Sequence, residues 1–288
     1  MAKSRSGLFK LLLKVTASVI AILVVFFNID WKEVQGLFLQ LDYLWLIGAI
    51  TLFSLSKVFS AIRLTIFFKS IGIVIGQLYN LKLAWLGMFY NLFLPGGIGG
   101  DAYKVYLLNQ QYDVKAKLIG AAVLLDRING VVALAFLAGI GFMFLEVTTL
   151  PTWTWWLVLL LTLLVYPVYI LGIKLFFKSF RSGYLSTSFL SICTQGSQVF
   201  SAYFLLQSLH IVSSEMEYLV LFLISSIVAV LPFTIGGVGA RELTFILGND
   251  ILGIDQNTAV AFSLLFFLVT LFVSAFGSFV STKKEETD

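Results

Sequence analysis

The sequence predicts an all-α, polytopic integral membrane protein, and three observations indicate this class: its composition, its long apolar runs and its asymmetric charge. The chain has 288 residues, of which 59% are hydrophobic and 12% charged, with a mean hydropathy of +0.99. Soluble domains typically carry about 25% charged residues. A soluble core of this length cannot enclose so much apolar surface. The composition therefore argues against a water-soluble enzyme and a disordered chain, and one cysteine, Cys193, argues against a disulfide-rich scaffold.

About six apolar runs are long enough to cross a membrane, since a spanning helix needs about 20 apolar residues. The predicted full spans are residues 8–28, 43–68, 118–145, 153–177, 186–211 and 256–280. The first run follows several basic residues, as the apolar part of a secretory signal would. No small-residue cleavage pattern comes after it, so we interpret it as a retained membrane helix.

Two shorter apolar segments end in breaks that are rich in glycine and proline. Residues 81–94 precede Pro-Gly-Gly-Ile-Gly-Gly-Asp at 95–101, and residues 218–231 precede Pro-Phe-Thr-Ile-Gly-Gly-Val-Gly at 232–239. Each segment would form about 21 Å of helix, which is too short for a hydrocarbon core of about 30 Å. Proline removes a backbone donor and glycine weakens a helix, so both segments are predicted to break within the membrane.

The distribution of basic residues predicts how these two segments enter the membrane. With a cytoplasmic N-terminus and both short segments leaving by the side they entered, all but two of the 19 lysines and arginines take inner positions. The exceptions are Lys32 and Arg241. This asymmetry is the one that the positive-inside rule describes. We therefore predict two re-entrant hairpins, the first entering from the cytoplasm and the second from outside, with both termini cytoplasmic in a bacterial or archaeal-type cytoplasmic membrane.

The two breaks also resemble each other, because Leu-Pro-x-x-Ile-Gly-Gly occurs at residues 94–100 and again at 231–237. Together with entrance from opposite sides, this predicts an inverted repeat with halves at about 43–145 and 186–280, inside one domain that spans residues 1–288. Paired segments interrupted by glycine and proline in two halves of a chain are the best sequence indication of a transporter's binding site.

A helix that restarts after such a break presents unpaired N–H groups and a partial positive charge, which suits a phosphate or a carboxylate. Close helix packing is the alternative explanation for the glycines, and it accounts well for Gly72 and Gly76. It accounts poorly for breaks that charged residues follow. Neither break has a nucleotide-binding pattern.

Intramembrane charges outside the breaks allow two interpretations each. Lys57 and Arg63 either extend toward lipid headgroups at the inner end of their helix or bind a lipid phosphate. The pair Asp126-Arg127 either contacts the first break or anchors the topology. With His210 as the single histidine, the sequence contains neither a metal-binding cluster nor a catalytic triad, and no cofactor is predicted.

Two stretches resemble the signature sequences of the lysylphosphatidylglycerol synthase transmembrane, flippase-like family. They are Asn-Leu-Phe-Leu-Pro-Gly-Gly-Ile-Gly-Gly-Asp-Ala-Tyr-Lys at 91–104 and Leu-Pro-Phe-Thr-Ile-Gly-Gly-Val-Gly-Ala-Arg-Glu at 231–242. The resemblance covers nearly the whole chain. In the full bacterial enzymes of this family, the membrane domain flips aminoacylated phosphatidylglycerol, and a separate soluble domain transfers lysine from charged tRNA to the lipid. The resemblance therefore implies a membrane domain that handles lipids. The chain has no room for that soluble domain after its last helix, so we expect a stand-alone member without synthase activity.

The resemblance and the breaks together imply a flippase for an anionic phospholipid or lipid-linked headgroup, of the lysylphosphatidylglycerol or polyprenyl-phosphate type. Its cations would attract phosphate, and Asp101 and Glu242 would orient them or recognise an amine. The predicted substrate-binding residues are Arg63, Asn91, Pro95, Gly96, Gly97, Gly99, Gly100, Asp101, Lys104, Asp126, Arg127, Pro232, Thr234, Gly236, Gly237, Gly239, Arg241 and Glu242.

Membrane lipids are the predicted partners, and no nucleic acid is expected. Two rival functions stay open. The protein could be a membrane subunit of an aminoacyl- or glycosyl-lipid synthesis system that works with a separate soluble transferase, or it could be a scaffold that transports nothing.

The predicted topology can be tested by single-cysteine labelling in a Cys193→Ser background. Residues 28–42 and 146–152 are expected to react with an impermeant reagent from outside, because they lie in the acidic loops. Residues 109–117 and 174–182 should react only from the cytoplasmic side. Labelling of an Asp113→Cys variant from outside would contradict the re-entrant arrangement.

Overall fold

The computed structural model describes residue 27 and residues 30–93, 98–146, 150–230 and 240–280. This part of the chain forms ten α-helices, two short 3₁₀ turns and no strand. The helices are α1 (Trp31–Leu39), α2 (Tyr43–Lys69), α3 (Gln77–Phe93), α4 (Gly99–Gln111), α5 (Ala116–Phe142), α6 (Trp153–Phe176), α7 (Tyr184–Ser208), α8 (Glu215–Val230), α9 (Ala240–Leu252) and α10 (Gln256–Ala275). The predicted span at 8–28 lies outside the described residues except for Phe27.

The all-helical, polytopic membrane class is confirmed. Helices α2, α5 and α6, and α10 together with the turn that follows it, are long and apolar enough to cross a membrane. Helix α7, predicted as a span over 186–211, has 25 residues and is about 37 Å long. It is less apolar because it carries buried hydroxyl and amide side chains, namely Thr187, Ser188, Ser191, Thr194, Gln195, Ser201 and Ser208. It is a central helix whose polar residues face other helices.

Helices α2–α5 and α7–α10 follow the same order of a long helix, two short helices and a long helix. Their starts pair at nearly constant spacing: Tyr43 with Tyr184, Gln77 with Glu215, Gly99 with Ala240, and Ala116 with Gln256. The first pair, α2 and α7, packs antiparallel. Equivalent helices therefore run in opposite directions, which supports the predicted inverted repeat.

Specific contacts along α2 and α7 show this orientation. The Ser201 hydroxyl donates to the Ala49 carbonyl at 2.8 Å. At one end of the pair, the Asp42 amide donates to the Ser208 carbonyl at 3.0 Å. Toward the other end, Arg63 reaches Ser191.

The first hairpin consists of α3 and α4, and α4 returns alongside α3. The Tyr79 hydroxyl, near the start of α3, donates to Gln111 at the end of α4 at 2.9 Å. Nearer the tip, the Tyr90 and Tyr103 rings lie 5.0 Å apart. The first segment is thus a hairpin that returns to the end of the bundle where it began, and α3, at 17 residues, is longer than the apolar run alone predicted.

The second hairpin consists of α8 and α9. The Leu221 side chain lies against Gly248, and the Tyr218 hydroxyl donates to the Asp255 carbonyl at 3.4 Å. These contacts join the first half of α8 to the end of α9 and to the loop that follows it, so this segment also turns back. The centres of both breaks, residues 94–97 and 231–239, lie outside the described residues.

The two hairpins enter from opposite ends of the bundle, because the first follows the end of α2 and the second follows the end of the antiparallel α7. The ends also differ in charge. One end, here called the basic end, carries Lys69, Lys115, Lys117, Lys174, Lys178 and Arg181, together with Asp113. The other, the acidic end, carries Asp30, Glu33, Asp42, Glu146, Glu215, Glu217 and Asp255, together with Lys32.

Helices α1 and α6 lie outside the repeated pattern. Helix α1 forms within 28–42, which the sequence indicated only as an external loop. Its cap is Asp30, which accepts from the Lys32 amide at 2.9 Å, and Glu33 accepts from Asn257 at 2.6 Å. A nine-residue helix has little stability of its own, so these contacts and its packing on α10 explain why the sequence did not reveal it.

Because α3 and α4 approach each other closely, adding one methyl group between them is expected to destabilise the fold. A Cβ atom at Gly100 would lie 1.9 Å from the Gly87 carbonyl oxygen, which is backbone and cannot rotate away. We expect Gly100→Ala to lower the free energy of unfolding by roughly 1–3 kcal/mol. The measurement is unfolding in detergent followed by tryptophan fluorescence.

The matched control is Gly120→Ala on α5, where nothing lies within 4 Å of the added Cβ. It should be neutral, or more stable by up to about 1 kcal/mol through helix propensity. Equal stability of the two variants would show that the hairpin is not packed through Gly100.

Candidate functional site

The tip of the first hairpin is organised around Asp101, the third residue of α4. Its carboxylate pairs with the Arg127 guanidinium of α5, and the Lys104 ammonium lies 3.4 Å away. The Asn91 side chain accepts a hydrogen bond of 2.8 Å from the Gly100 amide. This bond satisfies one of the free N–H groups at the start of α4 and ties the end of α3 to it.

A second ion pair, between Arg63 and Asp126, joins three helices. The Arg63 Nε lies 2.7 Å from Asp126 on α5, and Nη1 donates to the Ser191 hydroxyl on α7 at 2.7 Å. Arg63 is only 4% exposed. It does not extend to the headgroup region, which was one of the two interpretations left open.

The second hairpin carries Arg241 and Glu242 at the start of α9. Glu242 is buried and accepts from the Ser263 hydroxyl at 3.1 Å. The Arg241 guanidinium lies 4.9 Å from the centre of the Phe266 ring and 5.9 Å from that of Phe222. Glu242 and Asp101 are both third residues of their helices, so they are equivalent carboxylates in the two halves.

A pocket of about 190 Å³ lies beside the first tip. It is lined by Lys57, Ser60, Ala84, Trp85, Met88, Asn91, Asp101, Lys104, Asp126 and Arg127. Sites for drug-sized molecules typically have about 300–1,000 Å³. This smaller pocket, with three cations and two carboxylates, suits a charged headgroup better than a whole lipid.

The structure therefore brings together most of the predicted residues of the first half: Arg63, Asn91, Gly99, Gly100, Asp101, Lys104, Asp126 and Arg127. Arg241 and Glu242 lie at the second tip. Eight predicted residues lie outside the described residues, namely Pro95, Gly96, Gly97, Pro232, Thr234, Gly236, Gly237 and Gly239. No group of His, Cys, Asp and Glu in the described chain could hold a metal ion.

Lys57 is the charged pocket residue that the predicted site omitted. Its ammonium lies 4.0 Å from the centre of the Phe53 ring, one turn back toward the start of α2. It thus points away from the nearer basic end. The sequence did place a lysine in the middle of an apolar run, which is a recognised indication of function. Which way the side chain points depends on how α2 packs, which the sequence does not show.

Several buried polar groups of α5, α6 and α7 have no hydrogen-bond partner among the described residues. They are both amide atoms of Asn129, the Gln195 Oε1 atom and the hydroxyls of Tyr166, Tyr169 and Ser188. Each such group costs about 1–3 kcal/mol when it is unpaired. Arg63 acts electrostatically on both tyrosines. Bound water or a polar ligand in this interior region would therefore stabilise the protein by pairing these groups.

A larger groove of about 830 Å³ runs between α5, α6 and α8. Apart from Thr162 and Tyr169, its lining is apolar, with Val132, Leu161 and Val220 among the contributors. Its chemistry suits a hydrocarbon chain.

The Arg63–Asp126 pair predicts non-additive mutational effects on stability. Asp126→Leu leaves a buried guanidinium without its carboxylate and should cost about 3–5 kcal/mol. The double variant Arg63→Leu/Asp126→Leu removes both charges and should be clearly more stable than the single one. Unfolding in mixed micelles measures both. A double variant no more stable than Asp126→Leu would show that the pair does not act as a unit.

Comparison with known families gives a match over most of the chain. The family model described as the lysylphosphatidylglycerol synthase TM region matches residues 11–277, which include both hairpins and all the residues that line the pocket. No curated protein and no solved structure matches the chain. The match confirms the resemblance carried by the two break motifs: the chain belongs to the lysylphosphatidylglycerol synthase TM region family.

Proposed function

We propose that the protein translocates an anionic lipid headgroup across the membrane, through the pocket at the first hairpin tip. The observation that carries the proposal is this pocket, where Lys57, Lys104 and Arg127 meet inside an apolar helix bundle. Cations so placed are costly in a membrane and usually functional. Family membership indicates a lipid-related membrane protein, and the cations specify an anionic ligand.

The pocket leaves part of its cationic surface accessible to a ligand. Lys104 and Arg127 share one carboxylate, Asp101. The Arg127 side chain is 29% exposed although it is paired. Its planar guanidinium can approach two phosphate oxygens, which gives a stronger and more directional contact than an ammonium makes.

The inverted repeat suggests how the headgroup would cross. The two hairpins enter from opposite ends, and α2 and α7 form the axis between them. Rocking of one half against the other would open the pocket to each side in turn, as in other transporters with inverted repeats. The acyl chains would stay in the apolar groove between α5, α6 and α8 while the headgroup passes through the interior.

The charge of the two ends supports an orientation. The positive-inside rule favours the basic end as the cytoplasmic one. The first hairpin and its pocket would then be reached from the cytoplasm, with both termini on that side of a bacterial or archaeal-type cytoplasmic membrane. Because the sequence has no nucleotide-binding motif, we propose passive or ion-coupled transport.

One alternative has an observation of its own in its favour. The family description names a synthase, so the chain could be the membrane subunit of an aminoacyl- or glycosyl-lipid synthesis system with a separate soluble transferase. In that case the pocket would hold the lipid while a partner modifies it. The purified protein alone would bind lipid but would not move it between leaflets.

Translocation can be measured in proteoliposomes with acyl-labelled fluorescent phosphatidylglycerol and chemical bleaching of the outer leaflet. We expect activity for the purified wild-type protein. Arg127→Gln should reduce the rate about tenfold or more, because a charge-assisted contact is worth about 1.5–3 kcal/mol. The control is Lys32→Gln, an exposed cation at the acidic end, and it should behave as wild type.

Two results would count against the proposal. Wild-type rates in Arg127→Gln would show that the pocket is not on the route. Tight lipid binding without any translocation would favour the synthesis subunit.

A further inference from the structure

We propose that this site recognises a lipid headgroup with two negative charges, such as a phosphomonoester or a diphosphate, and that Lys57 binds the second of these negative charges. The proposal rests on the proposed function, because it names the substrate class of the same pocket. It adds a binding residue that the break motifs do not indicate.

The first argument is the count of charges around the two tips. Five cations lie there, namely Lys57, Arg63, Lys104, Arg127 and Arg241, against the three carboxylates of Asp101, Asp126 and Glu242. The undescribed stretches at the two tips, 94–97 and 231–239, contain no charged residue. The region therefore holds two more cationic than anionic side chains, deep within a membrane protein.

The second argument is where the carboxylates lie. Asp126 pairs with Arg63, Asp101 pairs with Lys104 and Arg127, and Glu242 accepts from a serine hydroxyl. In the part of the chain that the structure describes, no carboxylate forms a salt bridge with Lys57.

Lys57 and Arg241 instead share one aromatic cluster. Lys57 lies over Phe53 at 4.0 Å and Arg241 over Phe266 at 4.9 Å, and these two rings touch edge to face with centres 5.5 Å apart. A cation–π contact is worth about 2 kcal/mol when it is desolvated. This offsets only part of the cost of burying a charge.

Repulsion adds to that cost, because the Arg63 and Arg241 guanidiniums lie near enough to Lys57 to repel its ammonium. An anion bound beside Lys57 would lower the free energy of all three cations at once. Lys57 is also the member of this group that lines the pocket with Asp101, Lys104 and Arg127. A headgroup held by Lys104 and Arg127 thus has Lys57 within the same small volume.

The excess of two charges selects among lipid headgroups. A phosphodiester such as phosphatidylglycerol supplies one negative charge, whereas a phosphomonoester supplies about −1.5 to −2 near neutral pH. A lysylated phosphatidylglycerol headgroup brings two ammonium groups against one phosphate and would add positive charge to the site. The pocket is therefore matched to the monoester or diphosphate class.

The test compares lipids that have identical short acyl chains and differ only in headgroup: dioctanoyl phosphatidic acid, phosphatidylglycerol and lysylphosphatidylglycerol. Binding to the purified full chain is measured by native mass spectrometry with a detergent titration at pH 7, where the monoester carries about −1.5 to −2 charges. We expect phosphatidic acid to bind about tenfold more tightly than phosphatidylglycerol, and lysylphosphatidylglycerol to bind most weakly.

Lys57→Gln should lose about tenfold in affinity for phosphatidic acid and leave phosphatidylglycerol almost unchanged, so that the preference disappears. Lys57→Arg should keep the preference because it keeps the charge. The matched control is Lys69→Gln, an exposed lysine at the end of the same helix, which should alter neither affinity.

The outcomes separate this proposal from the function on which it rests. Equal wild-type affinities for phosphatidic acid and phosphatidylglycerol would overturn it, and this comparison needs no variant to fold. An equal loss for both lipids in Lys57→Gln would overturn the role of Lys57. If neither lipid binds, the proposed function itself fails.

Inorganic phosphate, added as a competitor, distinguishes a lipid from a free anion. It should displace phosphatidic acid only at concentrations at least about a hundredfold higher, since it lacks the acyl chains that add binding energy. Displacement at equal concentration would show a site for free phosphate and would overturn the assignment to a lipid.

Discussion

The antiparallel contact between α2 and α7 is the constraint on which the rest of the structure depends. Small residues allow it: the Ser201 hydroxyl reaches the Ala49 backbone, and both residues are fully buried. Close backbone approach of this kind is how helices associate in lipid, where the hydrophobic effect does not drive them together. Because the two helices are equivalent members of the repeat, their opposite directions place the hairpins at opposite ends.

That arrangement also decides where the charges meet. Arg63, Asp126 and Ser191 come from three helices, and their contacts need α5 to pack against both members of the central pair. Lys57, in the middle of α2, then lies between the first tip and Arg241 of the second. A membrane interior tolerates such groups only when they are paired or bind a ligand. The packing of α5 against the central pair therefore also determines which charged side chains lie close together.

Much of the site could be predicted because its signals are local. Proline and glycine break a helix wherever they occur, so the hairpin tips and the charged residues at their restarts, Asp101 and Arg241, followed from the chain alone. The role of Lys57 in the pocket did not follow from the chain alone, because the direction of its side chain depends on which aromatic ring packs beside it. Helix α1 was missed for a related reason, since a nine-residue helix is stable only against the surface it covers.

By itself, the sequence determined the class of the protein, the positions of its breaks and the asymmetry of its charge, because hydropathy, proline and glycine chemistry and the positive-inside bias act over short stretches of chain. Only the tertiary structure decided which charges pair. Arg63 pairs with Asp126, and Arg127 pairs with Asp101, across sequence separations that no local pattern spans. Tertiary packing also brings Lys57 and Arg241 onto one aromatic cluster, because the rotation and crossing of packed helices depend on side chains far apart in sequence.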